Sequence, residues 1–130
     1  MNSITTVLMV DDDEMNCKVL KRYFMTSNEI EVLSAHSADA ALSIIADYNQ
    51  KIDVVISDYR MPGIKGDALL ERLSLLYPQI TRILTSASNE EIDLILLKDR
   101  NVGTIQLFLE KPWDFCMLEQ QIITQAAECP

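Results

Sequence analysis

Five polar side chains that could do metal or phosphoryl chemistry each follow a short apolar segment of this sequence. Asp11 and Asp12 follow VLMV, Asp58 follows VVIS, Ser86 follows RILT and Lys111 follows LFLE. Carboxylates that converge in a partly dry cleft repel one another unless a cation or a proton is present. Mg²⁺ prefers oxygen ligands and is usually held by one or two carboxylates together with phosphate oxygens. If the fold gathers these residues, the set predicts a Mg²⁺ site with a hydroxyl and a lysine beside it.

The segments that precede these residues have the pattern of buried strands. Residues 7–10, 54–56 and 83–84 are continuous apolar runs, which are typical of parallel strands covered on both faces. Two more strands are predicted at about 31–35 and 105–109, the latter with Ile105, Leu107 and Leu109 on one side. We therefore expect five strands.

Stretches with helical periodicity lie between and after the strands. Their predicted apolar stripes are Val19, Leu20, Tyr23 and Phe24; Ala38, Ala41, Leu42 and Ile45; Leu69, Leu73 and Leu76; Ile92, Ile95 and Leu96; and Phe115, Leu118, Ile122 and Ala126. Asp13 and Ser37 are predicted N-caps, and Pro78 is expected to end the third helix. An acidic triplet before a helix also fits capping alone, so Asp11 and Asp12 have that simpler interpretation too.

This regular alternation predicts an α/β fold, with a doubly wound five-stranded parallel sheet and helices on both faces. Of the two common strand orders, five strands fit the flavodoxin-like order 2-1-3-4-5. Ligands of such folds bind at the carboxyl ends of the strands, where all five polar residues fall. The 130 residues carry no linker-like segment, so we expect one domain over residues 1–130.

Composition excludes several functions. A net charge of −9 argues against direct binding of nucleic acid or of an anionic membrane. The apolar runs are shorter than the roughly 20 residues of a membrane span, and the N-terminus lacks a secretion signal, so a cytoplasmic location is expected. Cys17, Cys116 and Cys129 are widely spaced and predict neither disulfides nor a zinc site.

Four segments together resemble the receiver (CheY-like) domain of two-component response regulators. They are VDDDEMN, DVVISDYRMPGIKGDALLERL, ILTSAS and LEKPWD, and the resemblance covers essentially the whole chain. It implies a phosphorylation-activated signalling switch, which accepts a phosphoryl group from a phosphohistidine of a sensor histidine kinase or of a histidine phosphotransfer protein. It also implies that the domain is not an enzyme beyond its own phosphorylation and dephosphorylation.

The same resemblance assigns a role to each site residue. Asp58 is the phosphoacceptor and nucleophile, and Asp11, Asp12 and Asp58 bind Mg²⁺ with the backbone carbonyl of Arg60. Lys111 pairs with Asp58 and then with the phosphoryl group. The Ser86 hydroxyl donates to a phosphoryl oxygen.

The resemblance further implies how the signal leaves the site. Phe108 matches the aromatic switch position, and the bond before Pro112 is usually cis in the family. Leu94 and Leu97 lie off the apolar stripe of the fourth predicted helix, so this helix, the fifth strand and the fifth helix are expected to form an output face. We expect a homodimer or an output partner to bind there after phosphorylation.

One alternative function would also use these carboxylates to hold Mg²⁺ at a phosphoryl site. In a Mg²⁺-dependent phosphohydrolase of the haloacid-dehalogenase type, Asp11 would be the nucleophile and Asp13 the acid. The sequence argues against it because Glu14 and Met15 replace the usual continuation of that motif and no acidic pair follows the fourth strand.

Overall fold

A computed structural model describes residues 4–48, 51–87, 90 and 104–128. The fourth predicted helix, with Leu94 and Leu97, lies outside these residues, so the helix predicted at 115–126 is called α4 here. The elements are β1 Thr5–Val10, α1 Glu14–Tyr23, β2 Ile30–Ala35, α2 Ala38–Tyr48, β3 Val54–Asp58, α3 Gly66–Leu76, β4 Thr81–Ser86, β5 Leu107–Glu110 and α4 Phe115–Glu128.

The five strands form one parallel sheet in the order β2-β1-β3-β4-β5, which confirms the predicted fold class. In the register, Val10 of β1 lies beside Ser57 of β3, and Asp58 lies beside Thr85 of β4. Ser86 in turn lies beside Glu110 of β5. Four strands therefore end at nearly the same level, at one edge of the sheet.

Alternate residues of the inner strands enter different cores. Val7 and Met9 of β1 pack with Leu20 of α1 and Ile122 of α4. Leu8 and Val10, on the opposite face of the sheet, pack with residues of α2 and α3. Because β1, β3 and β4 are covered on both sides, every position of these strands is buried or nearly so. This is the physical reason for their continuous apolar runs.

The predicted helix boundaries are confirmed at three points. The Asp13 side chain accepts a hydrogen bond from the backbone N–H of Met15 at 2.9 Å, and the Ser37 hydroxyl accepts one from that of Ala40 at 3.0 Å. Each satisfies a donor that a helix N-terminus leaves without a partner. Helix α3 ends at Leu76, shortly before Pro78.

Three details of the predicted apolar faces of helices and strands are wrong. Leu76, the last residue of α3, is 58% exposed. The next residue, Tyr77, packs against the core in its place. Val19 and Tyr23 are more than two-fifths exposed, at the margin of α1. Ile105 precedes β5 and joins the core on the α2 and α3 side, opposite to Leu107 and Leu109.

At the amino ends of the strands, charged side chains bind backbone groups. The Arg82 guanidinium donates to the carbonyl oxygens of Thr104, Pro78 and Ile80 at 2.6, 3.2 and 2.8 Å. The Asp53 carboxylate accepts from the backbone N–H of Thr6 at 2.8 Å. These charges join strand ends and loops.

Two further findings concern the described residues. None of their helices has both the length and the apolar character needed to cross a membrane. Cys17 and Cys116 are free thiols, one buried and one exposed, and burial together with the charge of Asp11 raises the pKa of Cys17 to about 11. Cys129 lies outside the described residues.

Candidate phosphoryl-acceptor site

Three carboxylates meet at the carboxyl edge of the sheet. One carboxylate oxygen each of Asp11, Asp12 and Asp58 lies within 4.8 Å of the other two. Asp58 ends β3, and Asp11 and Asp12 directly follow β1. Asp11 is 1% exposed and Asp58 8%, whereas Asp12 faces solvent. The fold thus gathers the three residues that the sequence predicted as neighbours.

Lys111 joins two of these carboxylates. Its Nζ donates to Asp58 Oδ1 at 2.9 Å and to Asp11 Oδ2 at 3.1 Å. Its backbone N–H donates to the carbonyl oxygen of Ser86 at 2.8 Å, which continues the pairing of β5 with β4 by one residue. The peptide bond between Lys111 and Pro112 is cis, as predicted.

Burial and charge shift the two partners of this ion pair. Burial raises the pKa of Asp58, the hydrogen bond and charge of Lys111 oppose that rise, and the charges of Asp11 and Asp12 add to it. Burial alone would lower the pKa of Lys111, but the hydrogen bonds and charges of Asp58 and Asp11 outweigh it, so the pKa rises. Lys111 therefore keeps its positive charge. That charge does not fully offset the cost of ionising the buried carboxyl group of Asp58.

The charge balance of the site fits a divalent cation. Three carboxylates face one ammonium, which leaves two excess negative charges when all are ionised. Asp11 and Asp58 are buried, so water screens this repulsion poorly. An oxygen-rich group with that excess charge is of the kind that holds Mg²⁺.

Asn16 is a site residue that the sequence prediction missed. Its side-chain amide donates to Asp11 Oδ2 at 2.9 Å, and the backbone N–H of Asp13 donates to Asp11 Oδ1 at 3.0 Å. Both oxygens of Asp11 are thereby oriented. The available signal was position, since Asn16 lies in the first turn of the helix that follows Asp11. The Asp13 carboxylate, in contrast, caps α1 and is not in the acidic cluster.

Gly66, at the start of α3, is a second missed residue. A methyl group there would overlap the backbone carbonyl oxygen of Asp58 and lie 2.9 Å from the Ser57 hydroxyl oxygen. The backbone N–H of Gly66 donates to the carbonyl oxygen of Tyr59 at 3.0 Å. Helix α3 therefore approaches the end of β3 closely enough that only glycine fits. The signal was a glycine at a helix start, where a polar cap is usual.

The other predicted site residues lie as follows. Ser86 ends β4 and is 1% exposed. Phe108, in the edge strand β5, is half-buried and packs against the core on the α2 and α3 side. Arg60 lies in the loop after β3, two residues beyond Asp58. The ligand role of its carbonyl and the switch role of Phe108 stay predictions.

A cleft of about 470 Å³ opens beside the acidic cluster. Its lining is mainly apolar and comes from α1, from the end of β4, from the loop after β5 and from the first residue of α4. The lining residues are Asn16, Val19, Ala87, Lys111, Pro112, Trp113 and Phe115. Because Lys111 belongs to both the cleft and the ion pairs, a molecule in the cleft would contact the lysine that binds Asp58.

Comparison with known proteins supports the same interpretation. The hydrogenase transcriptional regulatory protein HoxA of Cupriavidus necator is 33% identical over 108 residues, which are 83% of this chain and 21% of HoxA. The signal receiver domain of an HD domain-containing protein from Pseudomonas fluorescens is 32% identical, with a TM-score of 0.81 over 97% of this chain and 96% of that one.

A CheY-like response regulator receiver domain from Methanospirillum hungatei, 24% identical, also has a TM-score of 0.81, over 97% of this chain and 96% of that one, and shows the fold alone. The chain spans about a fifth of the length of the curated HoxA relatives. The family model described as response regulator receiver domain matches residues 7–123. With the strand order and the residues at its carboxyl edge, this match establishes that the chain belongs to the family of response regulator receiver domains.

Proposed function

We propose that this receiver domain takes a phosphoryl group from a phosphohistidine onto Asp58. One observation carries the proposal: a buried carboxylate at the end of β3 lies 2.9 Å from a lysine ammonium and within 4.8 Å of two more carboxylates. In the step, a carboxylate oxygen of Asp58 forms a bond to phosphorus as the P–N bond breaks. The electron pair passes to the imidazole, which leaves neutral once it is protonated. The product is an acyl phosphate.

The residues around Asp58 match the needs of this step. Phosphoryl transfer has a loose transition state with charge spread over the peripheral oxygens, so catalysis depends on positioning and on neutralising charge. Lys111 holds a positive charge at the carboxylate and can move with the transferred group. Ser86, at the end of the neighbouring strand, supplies a hydroxyl donor to a phosphoryl oxygen.

Mg²⁺ is the proposed cofactor. Asp11, Asp12 and Asp58 would hold it, with the carbonyl of Arg60 as the fourth protein ligand. When bound, the ion neutralises the phosphoryl oxygens and the carboxylates together. Asn16 fixes the orientation of Asp11 and so prepares the ligand geometry.

The domain acts in signalling, and we propose that it performs no chemistry other than its own phosphorylation and dephosphorylation. A carboxylate is a good leaving group, so the acyl phosphate is labile, which suits a transient signal. The haloacid-dehalogenase alternative needs Asp13 as an acid at the site. That role finds no support, because the Asp13 side chain caps α1.

The proposed phosphodonor is a sensor histidine kinase or a histidine phosphotransfer protein. Such a partner must cover the carboxyl edge of the sheet, and the apolar cleft beside Lys111 provides a contact surface there. Exposed Met15 extends this surface along α1. The proposed location is the cytoplasm, as expected from the sequence. Nucleic acid and membrane are not proposed as direct partners, given the net charge of −9.

The proposed output is a change of surface around β5. After phosphorylation, Ser86 moves toward the phosphoryl group and Phe108 turns into the space behind β4. The surface of β5 and α4, with the region of residues 92–97, then binds a second copy or an output partner. Size-exclusion chromatography with and without a beryllofluoride mimic tests pairing, and an unchanged monomer would argue against the homodimer.

The proposed function is tested by mass spectrometry after incubation with acetyl phosphate and Mg²⁺. We expect one phosphoryl group on the wild type and none on the variant Asp58→Ala. The control Asp53→Ala removes a carboxylate at the other edge of the sheet and should be phosphorylated normally. Steady hydrolysis of p-nitrophenyl phosphate that is abolished by Asp11→Asn but not by Asp58→Asn would instead identify a hydrolase.

A further inference from the structure

A side-chain hydrogen bond lies just beyond Lys111 in the chain. The indole Nε1 of Trp113 donates to Thr85 Oγ1 at 2.9 Å. On the other side of the lysine, its backbone N–H donates to the carbonyl oxygen of Ser86 at 2.8 Å. The short segment from Lys111 to Trp113 is therefore attached at both ends to two consecutive residues of β4.

Packing alone does not explain the hydroxyl of Thr85. Thr85 is fully buried between Asp58 of β3 and Leu109 of β5, and Leu109 and Ile83 on this face of the sheet belong to the apolar core of α1 and α4. A buried hydroxyl costs free energy unless it is hydrogen-bonded, whereas valine would fill nearly the same volume without that cost. The specific contribution of the hydroxyl is its bond to Trp113.

The indole is also supported from its other side. The ring centroids of Trp113 and Phe115 are 6.1 Å apart with an edge-on arrangement, and Phe115 stacks on Tyr23 of α1 at 4.8 Å. Aromatic contacts of this kind favour one ring orientation. The indole N–H is thus held toward Thr85, and the loop after β5 is held between β4 and the aromatic contacts.

We propose that Thr85 and Trp113 are positioning residues for Lys111. This inference rests on the proposed phosphoryl-acceptor function. Their hydrogen bond limits the conformations of the segment that begins with Lys111, and so keeps Nζ near Asp58 and Asp11, at 2.9 and 3.1 Å. Because positioning accounts for much of the rate of phosphoryl transfer, loss of the bond slows phosphorylation of Asp58.

The test measures the rate of phosphorylation by acetyl phosphate and Mg²⁺, followed by intact-protein mass spectrometry. Thr85→Val removes the acceptor, Trp113→Phe removes the donor, and Thr85→Ser keeps the hydroxyl. We expect each of the first two variants to slow the reaction by about threefold to tenfold, as for the loss of one hydrogen bond. Thr85→Ser should be phosphorylated at the rate of the wild type. The double variant Thr85→Val with Trp113→Phe should be no slower than either single variant, because both remove the same bond.

Two controls separate positioning from general loosening. Thr81 is a second fully buried threonine on the same face of β4, and its hydroxyl donates to the carbonyl oxygen of Gln125 in α4 at 3.4 Å. Thr81→Val should change the thermal midpoint but not the phosphorylation rate. In a Lys111→Ala background, Thr85→Val should cause no further slowing, since the lysine through which it acts is gone.

The outcomes are distinguishable. Equal rates for the wild type and Thr85→Val would overturn the positioning role while leaving Asp58 as the phosphoacceptor. Equal slowing by Thr81→Val and Thr85→Val, or full additivity with Lys111→Ala, would also overturn it. A wild type that takes no phosphoryl group would overturn the proposed function, and this role with it.

Discussion

The two edges of the sheet both contain charged side chains, but these have different partners. At the amino edge, the Arg82 guanidinium donates to three backbone carbonyls and the Asp53 carboxylate accepts from a backbone N–H. At the carboxyl edge, Asp11 and Asp58 share one lysine and lie against Asp12. The backbone hydrogen bonds of Arg82 and Asp53 join parts of the fold, whereas carboxylates that face one another leave negative charge for a ligand. The comparison separates structural charges from functional ones.

The largest expected effect is at the amino edge. Arg82→Met keeps much of the side-chain volume but leaves one buried and two partly buried backbone carbonyls without this donor. We expect a loss of about 3 kcal/mol in the free energy of unfolding, measured by urea denaturation. The phosphorylation rate of the folded variant should equal that of the wild type. A slowed rate at a temperature where both are folded would break the distinction between the edges.

The matched change at the carboxyl edge is Lys111→Met. We expect the rate of phosphorylation by acetyl phosphate to fall about a hundredfold, which corresponds to about 2.7 kcal/mol of transition-state stabilisation. Thermal unfolding should shift far less than for Arg82→Met. A variant that is strongly destabilised yet phosphorylated at the normal rate would contradict the catalytic role of this lysine.

Smaller changes of stability, opposite in sign, are expected from replacing Asp58, which ends β3, and Asp53, which precedes β3. In EDTA at pH 7, Asp58→Asn should stabilise the fold by about 1 kcal/mol, because it removes an ionised group from a site where burial and like charges oppose ionisation. Asp53→Asn should destabilise the fold slightly, because it weakens the hydrogen bond from the Thr6 N–H. Circular dichroism melts of both variants measure the difference.

The pH dependence of the first effect has a definite sign. Burial raises the pKa of Asp58 above its usual value of 3.8, so the folded protein keeps this proton to a higher pH than the unfolded chain does. The contribution of Asp58 to the stability of the wild type therefore falls as pH rises from 3.8 through the higher, folded-state pKa. The advantage of Asp58→Asn should grow across that interval and then stay constant, and Mg²⁺ should reduce it. An advantage that shrinks with rising pH would contradict this account.

The smallest effect concerns the orientation of a ligand. Asn16→Ala removes the amide that donates to Asp11 Oδ2, and we expect Mg²⁺ affinity to fall by about threefold to tenfold. Isothermal titration calorimetry measures it. Asn28→Ala, an exposed asparagine in the loop before β2, is the matched control and should leave the affinity unchanged. Equal affinities for the wild type and Asn16→Ala would show that Asp11 needs no such support.

Much of the site followed from the sequence, because strand ends of a parallel sheet meet at one edge. Asp11, Asp58 and Lys111 were predicted as neighbours on that ground. The hydrogen bond between Lys111 and Asp11 joins residues 100 positions apart in the chain. The exposed Leu76 was not predictable, since periodicity does not show where a helix passes the end of the core it covers. The side of Ile105 was also wrong, because the alternation of a strand does not extend into the loop before it.

The sequence by itself determined the alternation of elements, the strand order that this alternation favours, and the identity of the carboxylates and the lysine. These depend on local burial patterns and on residue types that have few alternatives. Only the tertiary structure decided that Asn16 holds Asp11, that Gly66 lies against the end of β3, and that Trp113 reaches Thr85. Those contacts depend on side-chain orientation and on the distance between packed elements, both of which are set when the helices dock on the sheet.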